Sequence, residues 1–240
     1  MKTKTINPTI YFLIIIFMSI SILSCSSQEE TPILNPGEES EMDQINYLAL
    51  GDSYTIGEGV NEDQRWPIQL GELLKPMDYK FGKLDIIAKT GWTTSNLLEA
   101  IEMNPTNDYN LVSLLIGVNN QYQNKPFELF ETEFDVLLDK CIEIAGDENR
   151  IFVVSIPDYG VTPFGSSNSE KIGLEIDMYN QFMADRCEVY QIPFIDITKI
   201  SRDLGAGEGA LAPDNLHPSG TQYSAWANEI LPIVVEILNK

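Results

Sequence analysis

Nucleophilic catalysis can use a hydroxyl, an imidazole and a carboxylate, and this chain has candidates for all three. The imidazole and the carboxylate lie in one short segment. The only histidine of the 240 residues, His217, stands three positions after Asp214. At this spacing one turn of chain can bring the carboxylate to the imidazole Nδ1, where it fixes the tautomer and stabilises the imidazolium. Ser53 supplies a hydroxyl that such an imidazole can deprotonate. The chemistry that these groups support is attack on a carbonyl carbon, with His217 as the base.

Two further residues can bind the negative charge that develops on a carbonyl oxygen. Gly91 has no side chain, so its backbone N–H can come close to a substrate oxygen. Asn119 carries an amide N–H that can donate to the same oxygen. Each of these residue types also has an ordinary structural role, as a turn glycine, a helix-capping serine or asparagine, or a surface histidine. No single residue therefore identifies a site.

The elements that must position these residues alternate between strand and helix. Short apolar runs predict five strands, at 46–50, 84–88, 111–116, 151–156 and 193–197. Apolar residues at helical spacing predict helices at 64–74, 94–101, 127–145, 170–190 and 219–238. Four of the strands are almost continuously apolar, which is typical of strands covered on both faces. The order predicts an α/β fold, a three-layer α/β/α sandwich around a five-stranded, mostly parallel sheet.

This order of elements places the candidate residues at one edge of the sheet. In parallel α/β sheets the functional crevice lies at the carboxyl ends of the strands. Ser53, Gly91 and Asn119 follow the first, second and third predicted strands. Asp214 and His217 lie in the last loop, after the fifth strand. Residues that are weak evidence separately are therefore predicted to converge on one site.

The short motifs that hold these residues resemble those of the SGNH, or GDSL, hydrolases. The similar segments are Gly51-Asp52-Ser53-Tyr54 for the nucleophile motif, Gly91 for the second, Gly117-Val118-Asn119-Asn120 for GxND, and Asp214-Asn215-Leu216-His217 for DxxH. The resemblance covers residues 45–238 and departs from the family at Tyr54, in place of leucine, and at Asn120, in place of aspartate. The GxSxG pentapeptide of the α/β-hydrolases does not occur in the sequence.

The resemblance implies a flavodoxin-like fold and ester hydrolysis through an acyl-enzyme. Ser53, Asp214 and His217 would form the catalytic triad. The backbone N–H groups of Ser53 and Gly91 and the side chain of Asn119 would form the oxyanion hole. The family comprises esterases, lipases, thioesterases and carbohydrate deacetylases, so the resemblance implies no metal ion and no organic cofactor.

Charge and composition narrow the choice of partners. Lys and Arg number 15 and Asp and Glu number 36, which gives a net charge of −21. This balance argues against nucleic acid as a partner and disfavours a strongly anionic substrate. A single histidine excludes zinc sites built on two or three histidines, and the scattered acids form no EF-hand loop.

The N-terminus has the pattern of a secretion signal. A basic start precedes an apolar run at 10–23, which is shorter than the roughly 20 residues of a membrane span. The end of the run, Ile22-Leu23-Ser24-Cys25, resembles a bacterial lipobox. We therefore expect residues 1–24 to be removed as a lipoprotein signal peptide and Cys25 to carry the lipid. The alternative is an ordinary signal peptide with a chance cysteine.

A tether and one domain are predicted after the signal. Residues 25–44 are polar and acidic and predict a flexible tether, while residues 45–240 contain no internal repeat and predict one domain. Lipid at Cys25 would hold the protein at the cell envelope, expected to be the outer membrane of a Gram-negative bacterium, facing the periplasm or the surface. Cys141 and Cys187 then remain, and the sequence leaves open a disulfide or two buried thiols.

The sequence constrains the substrate least. An outward-facing, tethered protein favours short acyl esters, such as O-acetyl groups on a glycan. A lysophospholipase or thioesterase of the same family is one alternative, and a non-catalytic protein that binds a glycan or a partner is another. Tyr159 and Phe164 follow the fourth strand, where they would line an acyl pocket, stack on a sugar ring or anchor the loop. Neither the oligomeric state nor the acyl chain length follows from the sequence.

Overall fold

The five predicted strands form one sheet in which every neighbouring pair is parallel. In the computed structural model, which describes residues 44–240, the strands are β1 (Gln44–Gly51), β2 (Lys80–Ala88), β3 (Leu111–Leu115), β4 (Ile151–Val154) and β5 (Phe194–Ile195). Their order across the sheet is β2-β1-β3-β4-β5. The predicted α/β fold is therefore confirmed, and the described sheet is parallel throughout.

Six of the eight α-helices of the described residues pack into two groups. The eight helices are α1 (Ser53–Ile56), α2 (Trp66–Leu74), α3 (Thr94–Met103), α4 (Val118–Tyr122), α5 (Phe127–Ala145), α6 (Ser169–Tyr190), α7 (Thr198–Leu204) and α8 (Gly220–Leu238). In one group α2 and α7 pack against α8, and in the other α3 and α6 pack against α5. The sequence did not predict α1, α4 or α7, which have four, five and seven residues. Helices this short have no complete amphipathic repeat.

The core lies where strands are covered on both faces. All five residues of β3 and all four of β4 are buried, as their continuous apolar runs predict. Full burial of each large apolar side chain contributes roughly 1.5–3 kcal/mol. The edge strand β2 is only partly buried, and it carries the exposed Lys80 and Asp85 and the half-buried Lys83. These charged residues disfavour pairing of the edge with another chain.

The two cysteines of the domain are buried free thiols. The structure therefore answers the question left open by the sequence in favour of thiols rather than a disulfide. Burial raises the pKa of the Cys187 thiol to about 12 and raises the pKa of Cys141 still further, to which the neighbouring Cys187 adds. Thiols with such pKa values are poor nucleophiles. Neither cysteine is a candidate catalytic residue.

The predicted signal peptide and the lipid site at Cys25 lie outside the described residues and stay predictions. The predicted tether also lies outside the described residues, apart from its last residue, Gln44. That residue begins β1, so the domain starts one position earlier than predicted. From Gln44 onward, no helix combines the length and apolar character that crossing a membrane requires.

Candidate active site

Ser53 is the first residue of α1 and follows β1 after a sharp turn. Asp52 caps the helix, because its Oδ1 accepts a hydrogen bond of 3.0 Å from the backbone N–H of Tyr54. Gly51 is required at the end of the strand, since a Cβ there would lie 2.4 Å from the carbonyl oxygen of Leu115. The turn thus places the Ser53 hydroxyl at a helix N-terminus, where backbone N–H groups lack partners within the helix.

Asp52 has a structural role that the sequence motif did not reveal. The residue is fully buried, its Oδ2 has no hydrogen-bond partner, and burial raises its pKa to about 7 against the opposing effect of the Tyr54 N–H. A protonated form is therefore populated near neutral pH, which reduces the cost of burying this carboxyl group. Asp52 fixes the chain around Ser53 through the helix cap.

The loop that holds Gly91 is tied to α4. Gly91 has a φ of +84°, which residues with a side chain rarely adopt, and the space where a Cβ would stand is open to 4 Å. Asn119 Nδ2 donates to the carbonyl of Trp92 at 3.0 Å, and Gln123 Nε2 donates to the carbonyl of Gly91 at 3.1 Å. An amide nitrogen carries two hydrogens, so Asn119 keeps one for a ligand.

Two backbone N–H groups are available for a substrate oxygen. Between residues 44 and 240, neither the N–H of Ser53 nor that of Gly91 has a protein acceptor. Together with the second hydrogen of Asn119 Nδ2, they are the donors that an oxyanion hole requires.

Asp214 and His217 form a hydrogen-bonded pair. His217 Nδ1 lies 2.7 Å from Asp214 Oδ2, and Asp214 Oδ1 accepts from the backbone N–H groups of Leu216 and His217, each at 2.9 Å. Burial alone would raise the pKa of Asp214, but the hydrogen bonds from the His217 ring and from these N–H groups hold it below its ordinary value. An ionised carboxylate therefore faces Nδ1, and Nε2 is left to exchange a proton with another group.

The imidazole of His217 packs against one aromatic ring, which is itself backed by a second. The ring of Tyr54 meets that of His217 edge-on with the centroids 5.7 Å apart, and Trp226 of α8 lies 6.2 Å behind Tyr54. Tyr54 is one of the two departures from the family motif, and this packing is its role. At the other departure, Asn120 accepts from the N–H of Thr94 at 3.0 Å and donates to its Oγ1 at 2.7 Å, which ties α4 to α3.

One cavity of about 250 Å³ is lined by Ser53, Gly91, Asn119 and His217 together. The structure thus brings these predicted site residues to one place, with Asp214 hydrogen-bonded to His217 at its margin. The remaining walls are mainly apolar and aromatic: Tyr54, Val118, Tyr122, Tyr159, Phe164 and Leu216. The sequence reasoning missed Tyr122, although it follows Asn119 by three residues in α4 and so shares its helix face.

Side chains that could bind a metal ion are not clustered in the described part of the chain. No group of three or more His, Cys, Asp or Glu side chains between residues 44 and 240 is arranged to hold a metal ion.

Sequence comparison identifies a related family. A sequence model of the GDSL-like lipase/acylhydrolase family matches residues 49–225, which include Ser53, Gly91, Asn119 and His217. No curated protein matches the sequence.

Several solved structures share the fold. The acetyl xylan esterase AlAXEase is 17% identical, with a TM-score of 0.62 over 79% of this chain and 100% of that chain. The psychrotrophic esterase EstA from Pseudoalteromonas sp., inhibited by monoethylphosphonate, is 17% identical, with a TM-score of 0.57 over 81% and 98%. A GDSL-like lipase from Bacteroides thetaiotaomicron is 14% identical, with a TM-score of 0.59 over 83% and 91%. At these identities the likeness shows the fold.

Proposed function

Because the chain belongs to the GDSL-like lipase/acylhydrolase family, we propose that it is a serine esterase that cleaves carboxylic esters through an acyl-enzyme. The observation that carries the proposal is the cavity lined by Ser53, Gly91, Asn119 and His217. A protein that only binds a glycan has no need for a hydroxyl, an imidazole–carboxylate pair and free N–H donors at one cavity.

The first half of the reaction acylates Ser53. Its Oγ attacks the ester carbonyl carbon while His217 Nε2 takes the hydroxyl proton, and the Asp214 carboxylate stabilises the imidazolium. The carbonyl oxygen becomes an oxyanion, which accepts hydrogen bonds from the N–H groups of Ser53 and Gly91 and from Asn119. The intermediate collapses when His217 returns the proton to the alkoxy oxygen, so the alcohol leaves and the acyl group stays on Oγ.

The second half releases the acid. Water attacks the acyl carbonyl carbon and gives a proton to His217, which then protonates Ser53 Oγ as the acyl–oxygen bond breaks. The products are the carboxylic acid and the regenerated serine. Each step uses only groups at the cavity, and His217 alternates between base and acid.

The size of the cavity favours a short acyl group. A closed apolar cavity of about 150 Å³ accommodates benzene, and the open cavity of about 250 Å³ at Ser53 has room for an acetyl or butyryl ester with part of its alcohol, whereas a long fatty chain would extend beyond it. An acetyl xylan esterase among the similar structures is consistent with acetyl esters. O-acetyl groups on glycans are therefore the proposed substrates, with the enzyme held at the cell envelope by the lipid predicted at Cys25.

A series of p-nitrophenyl esters tests this proposal. We expect kcat/KM for the acetate and butyrate to exceed that for the dodecanoate at least about tenfold, because the longer chain leaves apolar surface outside the cavity. A fluorophosphonate probe is expected to label the Ser53 peptide, as mass spectrometry can establish. Faster hydrolysis of the dodecanoate would favour a lysophospholipase instead. Absence of any hydrolysis would refute the esterase and favour a non-catalytic binding protein.

Replacement of Asn119 by alanine tests the oxyanion hole. We expect kcat for p-nitrophenyl acetate to fall about 10²–10³-fold with a small change in KM, because the lost donor acts on charge present only in the transition state. Asn228→Ala, at an exposed position of α8, is the matched control and should keep wild-type kcat. If the two variants behave alike, the oxyanion is stabilised elsewhere.

A further inference from the structure

Two exposed aromatic rings lie at the rim of the cavity. Among the aromatic side chains of residues 44–240, only Tyr122 and Phe164 are more than half exposed, at 53% and 51%. Their ring centroids are 5.8 Å apart, and each ring lies 6.3 Å from that of Tyr159. Exposed apolar surface concentrated at one place marks a candidate contact for a ligand.

A groove continues from the catalytic cavity past these rings. Its volume is about 330 Å³, and Tyr122, Tyr159 and Phe164 line both spaces. Beyond the rings the groove is bordered by polar side chains: Gln121, Asn124, Asn168, Lys171 and Glu175. A ligand that extends from Ser53 therefore passes from an apolar cavity, over aromatic rings, to a polar groove.

The polar wall is fixed by a chain of contacts that begins at the rings. Tyr159 OH donates to Gln121 Oε1 at 2.8 Å, and Gln121 Nε2 donates to Glu175 Oε2 at 2.6 Å. Lys171 Nζ lies 3.5 Å from Glu175 Oε1. The groove is thus built before a ligand arrives, which reduces the entropy lost on binding.

These surfaces match a neutral sugar better than a phosphate. The CH face of a sugar ring packs on an aromatic ring, while its hydroxyls need side chains that both donate and accept, as Asn124 and Asn168 do. A phosphate needs cations. The cation that borders the groove, Lys171, is already paired with Glu175, and the chain carries a net charge of −21.

We propose that this groove is a subsite for the sugar residues adjoining the acylated one, with Tyr122 and Phe164 as the stacking platform. The ligand is a neutral oligosaccharide whose O-acetyl group reaches Ser53. This inference rests on the proposed esterase activity, from which it takes the position of the reacting ester.

The ratio of two activities tests the subsite. For wild type, Tyr122→Ala and Phe164→Ala, kcat/KM is measured with an acetylated xylo-oligosaccharide and with p-nitrophenyl acetate. We expect the ratio of the first to the second to fall about tenfold in each variant, mainly through KM, because the oligosaccharide loses its stacking surface along the groove, whereas p-nitrophenyl acetate meets these rings only at the cavity wall and loses less. Met103→Ala removes a still more exposed apolar side chain at the end of α3 and should leave the ratio unchanged. An unchanged ratio in Tyr122→Ala and Phe164→Ala overturns the inference while the esterase proposal stands.

Binding without turnover separates the two proposals. Isothermal titration calorimetry of the Ser53→Ala protein is expected to show binding of xylotetraose or mannotetraose, weakened about tenfold by adding Phe164→Ala. Sugar binding by Ser53→Ala, together with a wild-type protein that hydrolyses no ester, would uphold the subsite and refute the esterase. Binding of glycerophosphocholine in place of both sugars, or of none of the three, would refute the subsite.

Discussion

Replacement of Ser53 by alanine is expected to lower kcat for p-nitrophenyl acetate about 10⁶-fold. The variant has no oxygen to form the acyl-enzyme, so turnover falls to what the oxyanion donors and substrate binding supply to attack by water. KM should change little, because the cavity walls remain. Steady-state kinetics at saturating ester, together with loss of fluorophosphonate labelling, measure the effect.

The structure indicates that this variant folds. Ser53 is the first residue of α1, and the capping hydrogen bond is made by Asp52 rather than by the Ser53 hydroxyl. We therefore expect the thermal midpoint of Ser53→Ala to lie close to that of wild type. Ser95→Ala removes an exposed hydroxyl on α3 and serves as the control with wild-type kcat. Substantial turnover by Ser53→Ala would place the nucleophile elsewhere.

The sheet could be predicted from sequence because buried parallel strands have a local signature. The runs at β3 and β4 are continuously apolar, and both strands are fully buried. The short helices α1 and α4 have no such signature, yet they hold Ser53 and Asn119. Their conformation follows from the turns that join them to the strands rather than from an amphipathic pattern.

The chemical groups of the site were predictable, but their surroundings were not. Ser53 and His217 stand in short motifs that sequence inspection finds. The packing of Tyr54 against His217 and of Tyr122 against Phe164 joins segments that are far apart in sequence. A pair of rings separated by 42 positions leaves no periodic pattern, so only the folded chain brings such a platform into view.

Replacement of His217 by alanine is expected to cost about as much as loss of Ser53, about 10⁶-fold in kcat. A neutral serine hydroxyl is a weak nucleophile without a base, and His217 is the only imidazole of the chain. Asp214→Asn is expected to cost less, about 10⁴-fold, because it removes the charge opposite Nδ1 but leaves Nε2 at the cavity. The 2.7 Å contact between Asp214 and His217 is the interaction that Asp214→Asn weakens.

The double variant Ser53→Ala/His217→Ala separates a catalytic unit from two independent contributions. If Ser53 and His217 act only through each other, the double variant is no slower than either single variant, because the second change removes a partner that has nothing left to activate. If His217 instead contributes separately, for example by positioning substrate, the two losses multiply. Single-turnover kinetics with p-nitrophenyl acetate for the four proteins of this cycle distinguish the cases. Multiplicative losses would refute the assignment of His217 as the base for Ser53.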